Sequence, residues 1–83
     1  MFECDVRLSA DGVPFLLHDD LLERTSDGYG PAAALDWSAL SKLDAGSWHS
    51  LAFRGERLPS LEQVMHFCHE MHCALNVELK PAP

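Results

Sequence analysis

Apolar and polar positions alternate over the first eight residues. Phe2, Cys4, Val6 and Leu8 point one way and Glu3, Asp5 and Arg7 the other, a period of two that predicts a strand. Ala10-Asp11-Gly12 is a turn signal, and Val13-Pro14-Phe15-Leu16-Leu17 is a second short apolar run. Thr25, Ser26, Asp27, Gly28 and Gly30 make a loop of the stretch from Leu21 to Pro31. Asp36 suits the N-cap of a short helix through Leu43, closed by Asp44-Ala45-Gly46. Residues 47–57 are irregular, with Trp48 and Phe53 as expected anchors.

A second helix opens at Pro59-Ser60-Leu61-Glu62-Gln63, where Ser60 and Gln63 match a capping box. Leu61, Val64, Met65, Cys68, Met71 and Leu75 form its apolar stripe, with Asn76 at its end. Val77-Glu78-Leu79-Lys80 reads as a strand stopped by Pro81. The order strand, insertion, helix, strand is that of a βα unit running into a parallel strand, an α/β arrangement. Neither internal repeats nor low-complexity segments interrupt it.

The chain has 83 residues, fewer than the ~100–200 of an average domain. With 47% hydrophobic and 23% charged residues, it has the composition of a folded segment and not of a disordered tail. No apolar run reaches the ~18 residues of a membrane span, so no membrane partner is expected. A formal net charge of −7 disfavours contact with nucleic acid and suits solubility or a hard divalent cation. Cys4, Cys68 and Cys73 are odd in number and sit in apolar patterns, which argues against a disulfide framework and for a reducing compartment.

Several residues carry possible chemistry. Glu3 and Asp5 face one side of their strand, and Glu78 lies two before Lys80 on a later one. Three strand carboxylates converging on one site would suit Mg²⁺ or Ca²⁺. Taken alone, Glu3-x-Asp5 fits solvated or salt-bridged strand residues better. His18 closes an apolar strand before Asp19-Asp20, and the C-terminal end of a parallel strand is where α/β folds bind ligands. An imidazole there suits proton transfer, with the two aspartates available to orient it, although taken alone a plain surface-turn histidine explains the spacing better. His66, Cys68, His69, His72 and Cys73 crowd one helix, but Cys68 belongs to the apolar stripe and no second ligand cluster completes a zinc site. Asp27-Gly28-Tyr29-Gly30 lacks the Lys-Ser/Thr ending of a phosphate-cradling loop.

The ordered set of motifs resembles the glycerophosphodiester phosphodiesterase family, especially its bacterial cytosolic branch. The matching segments are Phe2-Glu3-Cys4-Asp5-Val6, Ser9-Ala10-Asp11-Gly12 and Leu16-Leu17-His18-Asp19-Asp20, followed by residues 22–30, 43–48 and 53–61 and by Asn76-Val77-Glu78-Leu79-Lys80-Pro81. The resemblance implies a fragment of a (β/α)₈ TIM barrel over residues 1–83, with a small insertion at about 21–58 after the His18 strand. It implies metal-dependent hydrolysis of glycerophosphodiesters to sn-glycerol 3-phosphate and an alcohol in a cytoplasmic parent enzyme. By motif position Glu3, Asp5 and Glu78 correspond to ligands of a divalent cation (Mg²⁺ or Ca²⁺), His18 to a catalytic histidine and Lys80 to a substrate-phosphate residue.

The family's His-Arg pair and Pro-Glu-Asn-Thr-like segment have no counterpart in these residues. The expectation is therefore a fragment that is inactive alone and prone to self-association through open sheet edges. Two other readings stand beside it: a non-catalytic remnant that binds a divalent ion or a partner, and a related phospholipase-type barrel.

Overall fold

The computed structural model describes residues 2–47 and 54–80. Three strands, β1 (Phe2–Leu8), β2 (Pro14–Leu16) and β3 (Leu75–Leu79), form one mixed sheet in the order β2-β1-β3. Two helices accompany it, α1 (Trp37–Leu40) and α2 (Leu61–Glu70), with a 3₁₀ turn at Ala32–Ala34. Trp48 and Phe53, the expected anchors, lie outside the described residues.

β2 runs antiparallel to β1, with Val6 opposite Leu16 and Leu8 opposite Pro14. This corrects the expectation that His18 ends a parallel strand. The connection explains why: Ser9 N donates to Val13 O at 3.0 Å, Gly12 N donates to Ser9 O at 3.0 Å, and the Ser9 hydroxyl accepts from Val13 N at 2.9 Å. Gly12 takes a φ of +84°, open to a residue without Cβ. A parallel connection needs a crossover of about a dozen residues or more, and this turn is far shorter. His18 therefore returns alongside the middle of β1.

β3 does pair parallel with β1, as the βα pattern predicts, with Asp5 opposite Glu78 and Glu3 opposite Asn76. α2 supplies the crossover. Its capping box is complete: Gln63 N donates to the Ser60 hydroxyl at 3.1 Å and Ser60 N donates to Gln63 Oε1 at 2.8 Å. The helix stops at Glu70, earlier than the apolar stripe suggests, so Met71 and Leu75 do not belong to it and Leu75 opens β3. The terminator is a Schellman motif in which Cys73 N donates to Cys68 O at 2.9 Å and His72 N to His69 O at 3.3 Å. His72 holds the left-handed position at φ +54°, usually a glycine's place, and so leaves no punctuation in the sequence.

α1 is likewise shorter than expected and ends at Leu40. Asp36 sits at its N-cap without a side-chain bond, and the Asp11 carboxylate of the β1–β2 turn accepts from Trp37 N at 2.9 Å instead. Residues 21–31 form the predicted loop, pinched by Leu22 N donating to Gly30 O and Ala32 N to Asp20 O, both at 3.0 Å.

The main core lies beneath this loop region. Phe15 and Leu17 of the β2 segment bury themselves with Leu22, Ala32, Leu40 and Leu58, and Trp37 and Leu43 pack around them. The Phe15 and Trp37 rings sit 5.7 Å apart, within the favourable range for aromatic pairs. The insertion thus folds over the hairpin as a unit, and the apolar surfaces of α2 and β3 stay largely exposed.

Candidate active site

Strand alternation and sheet register together build a polar face. Glu3, Asp5 and Arg7 point to one side of β1, and the parallel register aligns Asn76 and Glu78 with them. Lys80 continues the ladder, its backbone N donating to Val6 O at 2.8 Å. Its ammonium lies between two carboxylates, 3.2 Å from Glu78 Oε1 and 3.8 Å from Asp5 Oδ1. From the hairpin, His18 brings Nε2 to 4.0 Å from Asp5 Oδ2, too long for a hydrogen bond and short enough to share a site. The His18 side chain is 74% exposed, open to an incoming molecule.

Arg7 fastens the hairpin to this face. Its Nε donates to Leu17 O at 3.1 Å and its Nη2 to His18 O at 2.6 Å, while Nη1 forms an ion pair with Asp20. Asp19 has other partners. Its carboxylate takes two hydrogen bonds from the Arg24 guanidinium, at 2.6 and 2.9 Å, and one from His18 Nδ1 at 2.9 Å. Because a carboxylate only accepts, this contact fixes the proton on Nδ1. The hydrogen bonds from Arg24, and secondly from His18, hold the Asp19 carboxyl well below the usual carboxylate range. Arg7, His18, Asp19, Asp20, Leu21 and Lys80 line a shallow cleft of about 470 Å³.

The structure thus brings together Asp5, His18, Glu78 and Lys80 and places Glu3 on the same face, two residues before Asp5. Among the described residues no three His, Cys, Asp or Glu groups converge closely enough to hold a metal ion. Glu3, Asp5 and Glu78 offer only carboxylate oxygens, a chemistry that would suit a hard cation and not a soft one. Sequence reasoning did not single out Arg7 or Arg24. Arg7 shares the parity of Glu3 and Asp5, so the strand pattern did contain that signal. Arg24 lies in an irregular loop, and nothing periodic connects it to Asp19.

The sheet thus carries carboxylates and two basic residues on one open face, with the histidine brought to it from the antiparallel hairpin. The chain belongs to the glycerophosphoryl diester phosphodiesterase family, whose model matches residues 1–83. It is 43% identical over 83 residues to the Bacillus subtilis protein YhdW, covering 100% of this chain and 34% of that protein. It is 35% identical over 78 residues to the glycerophosphodiester phosphodiesterase of Caldanaerobacter subterraneus, covering 94% of this chain and 32% of that one. Among solved structures, an Oleispira antarctica phosphodiesterase in complex with the product sn-glycerol-3-phosphate superimposes with a TM-score of 0.91 at 42% identity, over 95% of this chain and 32% of that chain. The Agrobacterium tumefaciens glycerophosphodiester phosphodiesterase also gives 0.91, at 38% identity over 96% of this chain and 34% of that one. The chain therefore spans about a third of the length of these relatives.

Proposed function

We propose that this chain is the part of a (β/α)₈ glycerophosphodiester phosphodiesterase that carries the carboxylates and one acid–base histidine. The parent hydrolyses a glycerophosphodiester to sn-glycerol 3-phosphate and an alcohol, in the cytoplasm. The observation that carries the reading is the alignment of Asp5 with Glu78 across β1 and β3, with His18 and Lys80 within 4.0 Å of Asp5.

The placement supports the following roles. The Lys80 ammonium holds a phosphate oxygen at the edge of the cleft, where its charge offsets that of the diester. His18 Nε2 gives a proton to the alcohol oxygen as its bond to phosphorus breaks and the oxygen of water replaces it. Glu3, Asp5 and Glu78 would hold Mg²⁺ or Ca²⁺, which when bound supplies Lewis-acid polarisation of a phosphoryl oxygen. Among the described residues His18 is the histidine that approaches this face, so the 83-residue chain alone is expected to release no sn-glycerol 3-phosphate.

His18→Ala in a full-length domain carrying this segment should lower the rate of sn-glycerol 3-phosphate release by on the order of 10²–10⁴. An unchanged rate would remove His18 from the chemistry. It would also favour a binding role for the carboxylate face.

A further inference from the structure

The two aspartates after His18 are neighbours in sequence, and the fold gives them opposite partners. Asp20 pairs with Arg7, whose guanidinium also donates to the backbone oxygens of Leu17 and His18. Asp19 accepts from His18 Nδ1 at 2.9 Å, and Arg24 grips both of its oxygens, with Nε at 2.6 Å and Nη2 at 2.9 Å. The bidentate grip fixes the carboxylate in a plane and in a rotamer that neither residue would hold alone. The Asp19 side chain, 25% exposed, lies between the more exposed Arg24 and His18, at 61% and 74%.

We propose that Asp19 and Arg24 are positioning residues for His18, forming an Arg24–Asp19–His18 relay that fixes the Nδ1–H tautomer and aims Nε2 at the cleft beside Asp5. This rests on the phosphodiesterase reading above. A histidine that delivers a proton from Nε2 needs the other nitrogen to keep its own proton before and after the transfer. Asp19 provides that by accepting from Nδ1 throughout, so the ring neither flips nor presents the wrong nitrogen. Arg24 acts one step further out, since without it the Asp19 carboxylate is free to rotate toward water. Asp20 holds the backbone of the hairpin and leaves the ring alone.

The tautomer can be read directly in the 83-residue chain by ¹⁵N NMR of the imidazole nitrogens. The spectrum is taken at about pH 8, above the ordinary imidazole pKa of about 6.5. The unaltered chain should show His18 protonated at Nδ1 and bare at Nε2. Asp19→Ala should convert it to a mixture, and Arg24→Ala should move it the same way by a smaller amount. Because Arg24 is a surface residue, its variant keeps the test valid if Asp19→Ala fails to fold. His18 found protonated at Nε2 in the unaltered chain, or a tautomer indifferent to both substitutions, would overturn the relay.

In a full-length domain, Asp19→Ala should lower kcat with KM little changed, by at most on the order of 10²–10⁴, the factor that His18 itself supplies. Equal activity of Asp19→Ala and the unaltered domain also overturns it. If the unaltered full-length domain hydrolyses no glycerophosphodiester, the functional reading fails instead, and the tautomer result stands apart as a structural finding.

Discussion

The two sides of this small fold have opposite characters. Under the insertion, Phe15 of β2 and Leu22, Ala32 and Leu40 of the insertion are completely buried, a closed core that the hairpin and the insertion share. On the sheet–helix side, Val6 and Cys68 are buried, whereas Met65, Phe67, Met71 and Leu79 stand more than half exposed. Apolar side chains left open on a strand and a helix are characteristic of a βα unit that packs on only part of its surroundings. The insertion closes on itself because its loop is tied by its own polar groups. The βα unit depends on long-range neighbours, and along the outer edge of β3 no further strand pairs among the described residues. The closed core here lies where the irregular region meets the hairpin, and not between the helix and the sheet.

Substitutions at matched positions give the largest contrast. Phe15→Ala should cost about 3–5 kcal/mol, because it empties a site with no exposed surface and removes the partner ring of Trp37. Met65→Ala on the exposed face of α2 should stay within about 0.5 kcal/mol. Urea denaturation followed by tryptophan fluorescence measures both. Similar losses at the two positions would mean that the α2 face is as well packed as the insertion.

Acid should act on the insertion next. Asp44 accepts from Ser47 Oγ at 2.6 Å, from the backbone N of Gly46 and Ser47 at 2.9 Å, and from Gly55 N at 3.1 Å. These bonds, that of the Ser47 hydroxyl first, hold its carboxyl well below the ordinary range. With the folded pKa depressed, the unfolded chain binds the extra proton as pH falls below about 4. The stabilisation is therefore complete above that pH and is lost progressively on acidification. Asp44→Asn should lower the denaturation midpoint at neutral pH and narrow the gap to the unaltered chain near pH 3. An equal gap at both pH values would show that the charge on Asp44 is immaterial.

The smallest effect belongs to the capping box. Ser60→Ala leaves Gln63 N without its partner and should cost about 1 kcal/mol. Hydrogen exchange of the first-turn amides of α2 reads the loss locally. If the βα side already opens independently of the insertion, the exchange should rise in α2 and not around Leu22 and Leu40.

Part of the candidate site is legible in the sequence. The period of two put Glu3 and Asp5 on one face of β1, and Ser60 with Gln63 marked the start of α2 correctly, because both signals depend only on residues a few positions apart. The ends of elements were less legible. α2 terminates at a left-handed His72 in place of the usual glycine, and α1 borrows its cap from Asp11 of another turn, so neither boundary follows from neighbouring residues. The direction of β2 was misjudged from an apolar run that fits either orientation. The brevity of the Ser9–Val13 connection carried the correct answer.

By itself, the sequence determined which residues are polar-faced strand positions, where α2 begins and which family the motifs resemble. Those are properties of local periodicity and ordered spacing. Only the tertiary structure decided that Asp5 lies opposite Glu78, that Asp19 bonds His18 while Asp20 pairs with Arg7, and that the insertion shares its buried core with the hairpin. The pairing of Asp5 with Glu78, the Asp20–Arg7 ion pair and the core depend on strand register and on contacts between segments distant in sequence. Asp19, by contrast, finds its partners His18 and Arg24 locally, and so two adjacent identical side chains acquire different partners.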